Sequence, residues 1–278
     1  MNIIDSHQHF WQFDPQRDSW IDDTMQILQR DFMPEDLLPQ FEENNVVGSI
    51  AVQADTSEEE TSFLLALAAD HPFIFGVVGW ADFCRHDVGE TLAQFSDHKV
   101  LKGYRHIIQK EPDGFMDQKD FRAGIQQLAD LDYTYDLLLY PHQLEEAIRF
   151  VKAFPNQRFV VDHLAKPYIK AKEIDPWKEH IEQLAAFPNV RCKLSGMVTE
   201  AHWEAWEYTD FIPYLDVVTG AFGTDRLLFG SDWPVCLLGG SYPKILHLVM
   251  TYFDSFSTTE KEALFYKNTQ QFYQLTTV

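Results

Sequence analysis

Cysteine is scarce. The chain has three in 278 residues, Cys84, Cys192 and Cys236, far apart and without a Cys-x-x-Cys pair. That excludes a disulfide framework and a thiolate metal site. Positive charge is scarce too: 22 lysines and arginines stand against 43 aspartates and glutamates, a formal net charge of −21. Nucleic acid or an anionic membrane surface would need a basic face, so neither is expected as a partner. A solvated acidic surface explains the excess more simply than a cationic substrate does. No basic stretch precedes an apolar core at the N-terminus, and no apolar run approaches the about 20 residues of a membrane span. The expectation is a cytoplasmic protein. No Gly-x-Gly-x-x-Gly follows the first apolar run, and there is no low-complexity tract or linker.

What is present is a regular alternation. Short apolar, β-branched runs bounded by turn residues predict strands at 2–5, 46–54, 73–80, 100–107, 134–140, 158–164, 190–195 and 226–231. Segments with 3.6-residue periodicity predict helices at 34–41, 58–69, 88–95, 119–131, 143–154, 176–187, 203–222, 244–253 and 260–273. Alternating β and α units imply a parallel sheet covered by helices, and about 250 residues of them is the size of a closed (β/α)8 barrel. A doubly wound open sheet is the rival, but it lacks its glycine motif. The reading is α/β, a single TIM-type barrel domain over residues 1–278. The polar, Trp-rich stretch 10–31 is too long for an ordinary connection and predicts a functional loop folded over a site.

In such a barrel the active site lies at the C-terminal ends of the strands. The first strand leads into Ile3-Ile4-Asp5-Ser6-His7-Gln8-His9. Strand alternation puts His7 and His9 on one face, and imidazoles are common metal ligands and acid/base groups. The sixth strand ends in Asp162 and His163, the eighth in Asp232 before Trp233-Pro234. Taken singly, His7 and His9 are solvated loop residues, His163 a structural histidine and Asp232 a helix cap. Taken together, one shared site replaces several coincidences, since charged groups ending apolar runs are costly unless paired or functional.

Other strand ends add lesser candidates. Arg105 is placed to grip a substrate oxygen bidentately or to form a surface ion pair. Gln53 and Asp55 follow the second strand, Trp80 the third, Tyr140 and His142 the fifth, Lys193 and Ser195 the seventh. Packing or capping explains each of these better than catalysis does. Trp11, Trp80 and Trp233 are candidate apolar walls for a sugar ring.

Four stretches carry a resemblance: Ile4-Asp5-Ser6-His7-Gln8-His9-Phe10-Trp11, Val161-Asp162-His163-Leu164-Ala165-Lys166-Pro167, Lys193-Leu194-Ser195-Gly196 and Phe229-Gly230-Ser231-Asp232-Trp233-Pro234. With these the chain resembles the amidohydrolase superfamily, and more narrowly the amidohydrolase 2 branch that includes L-fuconolactonases and L-rhamnonolactonases of carbohydrate catabolism. The resemblance implies a hydrolase that opens a small-molecule sugar lactone. Asp232 would activate water, and His7, His9 and His163 would donate hydrogen bonds to the carbonyl. Arg105 and Tyr140 would orient the substrate, with Gln53, Trp11, Trp80 and Trp233 as further contacts. Binuclear members take a bridging group from strand four and a histidine from strand five. Here Lys102 comes too early and His142 lies beyond Pro141, which argues against two metals. One divalent ion such as zinc on His7, His9, His163 and Asp232 is stereochemically allowed, but the lactonase branch includes members without metal, and none is expected to be required. Three alternatives remain: a metal-dependent decarboxylase of the same branch, a hydrolase of pyrone or muconolactone-type substrates, and a non-catalytic sugar-acid binder. Oligomeric state is not legible.

Overall fold

The computed structural model describes residues 1–276. Its eight strands are β1 (Ile3–Gln8), β2 (Val46–Val52), β3 (Ile74–Gly79), β4 (Leu101–His106), β5 (Thr134–Leu137), β6 (Arg158–Val161), β7 (Val190–Leu194) and β8 (Leu227–Phe229). They form one sheet in sequence order, and every neighbouring pair is parallel. Helices α1 (Pro34–Glu43), α2 (Glu58–Asp70), α3 (Val88–Phe95), α4 (Lys119–Ala129), α5 (Leu144–Ala153), α6 (Trp177–Ala185), α7 (Ile212–Phe222) and α8 (Tyr242–Tyr252) follow the strands in turn. This is the predicted (β/α)8 barrel. The seam between β8 and β1 closes just beyond β8, where Asp232 N–H donates to the His7 carbonyl at 2.8 Å and His9 N–H to the Trp233 carbonyl at 2.7 Å.

Local chemistry sets the element ends. Pro34 opens α1, where a missing N–H costs nothing, and Asp36 accepts the Met33 N–H at 2.9 Å. Ser57 caps α2 by accepting the Glu60 N–H, and three glutamates fill the first turn. Several boundaries differ from expectation, β6 among them, which gives way to a 3-10 turn after Val161. β1 runs on to Gln8, because the seam supplies its polar residues with hydrogen-bond partners. β5 stops at Leu137, and Pro141 then opens a 3-10 turn. The long helix expected from 203 begins only at Ile212, with Pro213 in its first turn. The last predicted helix is divided into α9 (Thr258–Glu262), a π-helical turn (Ala263–Lys267) and α10 (Asn268–Phe272).

Two apolar cores result. The larger lies between the sheet and its helices. The smaller fills the barrel: Ile4, Ile50, Val78, Val160 and Leu228 point inward, and Phe272, Tyr273 and Leu275 plug its N-terminal mouth. The layer above is polar: Asp136, Asp162 and Lys193 all have fully buried side chains. The 10–31 stretch is tied off by Trp11 and Phe32, whose backbones exchange two hydrogen bonds at 3.0 and 2.9 Å.

Candidate active site

A cavity of about 120 Å³ opens at the C-terminal ends of the strands. His9, Arg105, His163 and Asp232 line its floor; Trp11, Trp20, Gln109, Lys110 and Lys166 are in its walls. The tryptophans come from the 10–31 stretch, which therefore folds over the site.

The backbone beneath His7 and His9 is irregular. Pairing of β1 with β2 shifts register between Asp5 and Gln8, and Asp5 pins this stretch by accepting from the amides of His7 (3.1 Å) and Ser231 (2.9 Å) and from the Tyr242 hydroxyl (3.1 Å). Burial raises the Asp5 carboxyl to about 6 against those hydrogen bonds. The two imidazoles converge, with ring centroids 4.9 Å apart and Nε2 atoms 3.2 Å apart.

His163 is delivered by an unusual turn. Residues His163, Leu164, Ala165 and Lys166 all have positive φ, from 49° to 57°, a left-handed conformation costing about 1–2 kcal/mol per residue without glycine. It is held by Lys166 N–H on the His163 carbonyl (2.7 Å), Trp177 Nε1 on the Leu164 carbonyl (2.7 Å) and a 2.8 Å contact from His163 Nδ1 to Ser195 Oγ. Gly196 leaves room for the ring: a Cβ there would lie 2.5 Å from His163 Nδ1.

Asp232 stands among the three rings. Its Oδ1 is 3.4 Å from His9 Nε2, 3.7 Å from His163 Nε2 and 3.9 Å from His7 Nε2. Burial alone would raise its carboxyl, but His163, His9 and His7 hold it well below the usual carboxylate range. Burial lowers His163 to about 4 and drives His7 well below its ordinary value, with Lys193 adding to the effect on His7. The arrangement at neutral pH is therefore an ionised carboxylate facing neutral His7 and His163 rings. His9 Nδ1 meets the Val52 carbonyl at 2.7 Å, an acceptor, so Nδ1 carries a hydrogen and Nε2 is turned toward Asp232.

Beneath the cavity lies a chain of buried charge. Arg105 binds the Gln53 carbonyl and, at 2.7 and 3.2 Å, its Oε1, and reaches Asp162 Oδ2 at 3.2 Å. Lys193 Nζ lies 2.5 Å from Asp136 Oδ2, 3.1 Å from Asp162 Oδ1 and 3.0 Å from His7 Nδ1. The Tyr273 hydroxyl donates to Asp136 from below at 3.1 Å. Burial raises Asp136 to about 6 despite Lys193, whereas Lys193, His7 and Arg105 overcome burial at Asp162 and hold it well down.

The other sequence candidates are placed as follows. Trp11 and Arg105 line the cavity; Gln53 is buried behind Arg105 as its anchor. Trp80 bonds His106 at 3.2 Å, Tyr140 lies beside Lys166, and Trp233 packs on Phe10 and Phe32, all outside the cavity lining. Lys102 reaches the Gln274 carbonyl and exposed His142 faces Asp113, so neither joins the site. Asp136, Trp20, Gln109, Lys110 and the role of Lys166 escaped the sequence reading. A charged residue inside an otherwise apolar strand, as in Tyr135-Asp136-Leu137, was the available signal for the first.

The donor set fits one metal ion. A tetrahedral centre with bonds of about 2.1 Å needs ligand atoms about 3.4 Å apart; Asp232 Oδ1 lies 3.4, 3.7 and 3.9 Å from Nε2 of His9, His163 and His7, and the Nε2 atoms of His7 and His9 are 3.2 Å apart. His7, His9 and Asp232 also form a compact potential ligand group, as do His7, Asp162 and His163.

A family model for amidohydrolases of the amidohydrolase 2 branch matches residues 4–275. L-Fucono-1,5-lactonase of Burkholderia multivorans is 40% identical over 94% of this chain and 92% of its own. L-Fucono-1,5-lactonase of Burkholderia ambifaria is 35% identical over 86% and 82%. A crystal structure of an amidohydrolase from Burkholderia multivorans with bound zinc superposes with a TM-score of 0.95 at 39% identity, covering 99% of this chain and all of that one. With the barrel, the paired histidines of β1, His163 and Asp232 in one cavity, the match along nearly the whole length is decisive: this chain belongs to the amidohydrolase family.

Proposed function

We propose that the protein hydrolyses a sugar 1,5-lactone of the L-fuconolactone type to the free acid, without requiring a metal. The observation that carries the reading is an ionised Asp232 held within 4 Å of three imidazole nitrogens in a small cavity, supported by the names of two relatives at 40% and 35% identity.

In this mechanism Asp232 takes a proton from water as its oxygen attacks the lactone carbonyl carbon. The carbonyl π bond opens to an oxyanion, stabilised by N–H groups of His7 and His163 and by the Arg105 guanidinium. The tetrahedral intermediate collapses, the bond from carbonyl carbon to ring oxygen breaks, and Asp232 returns the proton to that oxygen. The product is a hydroxy acid, which ionises at neutral pH. His9, whose Nε2 faces Asp232 Oδ1 at 3.4 Å, is the third imidazole beside the reacting carbonyl and water. Lys110 and Lys166, in a chain of net charge −21, supply positive charge at the wall for the sugar hydroxyls and the nascent carboxylate.

A single zinc ion on His7, His9, His163 and Asp232 would polarise the carbonyl or acidify the water. Stripping the protein with a chelator and assaying a panel of aldonolactones by proton release distinguishes the readings. Turnover of L-fucono-1,5-lactone by metal-free protein is expected. Release of no acid from any lactone overturns the hydrolase reading; loss of activity on stripping with recovery on added zinc overturns only its metal independence.

A further inference from the structure

We infer that Gln109 is a specificity-determining residue, whose carboxamide, left without a protein partner in the cavity wall, binds a ring hydroxyl of the substrate. Gln109 lies in a 3-10 turn (Ile108–Lys110) just past the end of β4 and lines the cavity. Three hydrogen bonds fix the backbone of that turn. Gln109 N–H donates to the Leu138 carbonyl at 3.0 Å, Lys110 N–H to the Ile107 carbonyl at 3.0 Å, and Gln143 Nε2 to the Ile108 carbonyl at 2.9 Å. The amide at the end of the side chain is uncommitted. Gln109 Oε1 is buried and, among the described residues, no group donates to it. Of the buried side-chain polar atoms unpaired in this way, it alone belongs to a residue lining the cavity.

A buried acceptor without a donor is unfavourable, and most such groups in folded proteins are satisfied. Two glutamines close by show the ordinary case. Gln53 Oε1 accepts from Arg105 at 2.7 Å. Gln143 uses both ends of its amide, Nε2 on the Ile108 carbonyl and Oε1 on the Tyr140 N–H at 3.0 Å. The terminal torsion of a glutamine is broad, so Gln109 can turn its amide to a ligand at little cost. Chemistry then narrows the ligand group. A carboxylate has no hydrogen to give Oε1, and an apolar edge would leave it unpaired. An alcohol donates to Oε1 and accepts from Nε2. The rest of the wall does not duplicate this. Lys166 is paired with Glu200 at 3.3 Å, Arg105 with Asp162 at 3.2 Å, and Trp11 commits its Nε1 to the Arg30 carbonyl at 2.9 Å. That the hydroxyl belongs to a sugar lactone rests on the lactonase reading; the uncommitted amide does not.

Gln109→Met keeps the length of the side chain and removes both hydrogen-bonding ends. The test compares proton release from L-fucono-1,5-lactone and from δ-valerolactone, the same ring without hydroxyls. In the variant, kcat/KM for L-fucono-1,5-lactone should fall about tenfold or more, while kcat/KM for δ-valerolactone stays at its wild-type value. The ligand-free variant should melt no lower than wild type, because the substitution strands no partner. An unchanged kcat/KM for L-fucono-1,5-lactone, or an equal fall for both lactones, overturns the inference. So does a melting point lowered by more than about 4 °C, which would make the amide a structural bond. If wild type hydrolyses neither lactone, the proposed reaction fails and the subsite is judged by thermal shift with L-fucose. A shift in wild type that Gln109→Met loses supports the subsite; no shift, or one that the variant retains, overturns it.

Discussion

Asp232 and His7 are joined twice. The amide of Asp232 donates to the carbonyl of His7 at 2.8 Å, and Asp232 Oδ1 faces His7 Nε2 at 3.9 Å. The first contact closes the barrel between its last and first strands; the second belongs to the site. Asp232 itself holds a left-handed φ of 58°, so the seam fixes the direction in which its carboxylate emerges.

Asp232→Asn keeps that backbone and the side-chain shape but removes the proposed base. Its kcat should fall by about 10³-fold or more, with circular dichroism and the unfolding midpoint near those of wild type. A rate within tenfold of wild type would remove Asp232 from the mechanism.

Arg105→Ala should cost stability as well as the rate lost with its contact to the oxyanion. It empties a buried site and leaves Asp162 Oδ2 without its guanidinium. Urea unfolding should show a loss of about 3–5 kcal/mol, the scale for breaking a buried pair from one side. A loss under 1 kcal/mol would mean that Lys193 and water compensate fully.

Glu60, in the first turn of α2, accepts the N–H of the cavity residue Ala54 at 2.9 Å. Burial raises its carboxyl from 4.5 to about 7. Between those values the folded state holds a proton that the unfolded chain has released, so this group favours folding at lower pH and that contribution is lost as pH rises through about 7. Glu60→Gln retains the accepting oxygen and cannot ionise. Relative to wild type it should gain stability between pH 5 and pH 8, by up to about 3 kcal/mol. Denaturant curves at the two pH values check this; parallel behaviour would exclude it.

Lys166 is paired with Glu200 at 3.3 Å and lines the cavity. Lys166→Met should raise KM for a lactone about tenfold, the equivalent of one lost polar contact of about 1.4 kcal/mol, with a smaller effect on kcat. Steady-state kinetics separates the two, and an unchanged KM would place the substrate elsewhere.

The sequence made the barrel legible because eight apolar runs alternate with helical periodicity and each run is short. It exposed His7, His9, His163 and Asp232 because each interrupts hydrophobicity at a strand end. Lys193 and Asp136 were harder. Lys193 reads as a lesser strand-end candidate and Asp136 as an interior strand residue, and only barrel register puts them 2.5 Å apart beneath His7. The setting of the His9 ring was illegible for the same reason, since its Nδ1 partner is the backbone carbonyl of Val52, which carries no side-chain signal. Trp80, Tyr140 and Trp233 sit near strand ends yet outside the cavity lining, because closeness to a strand end does not fix side-chain direction.

The left-handed turn from His163 to Lys166 separates two kinds of change. Its path is held by groups outside the Lys166 side chain: the Lys166 amide, the Trp177 indole and the Ser195 hydroxyl. Exchanging the side chain at position 166 therefore alters one wall of the cavity while leaving the aim of His163 intact. Under the proposed reaction, substrate preference can drift at that position while the chemistry stays in place, which makes position 166 a tuning point built next to a part it does not disturb.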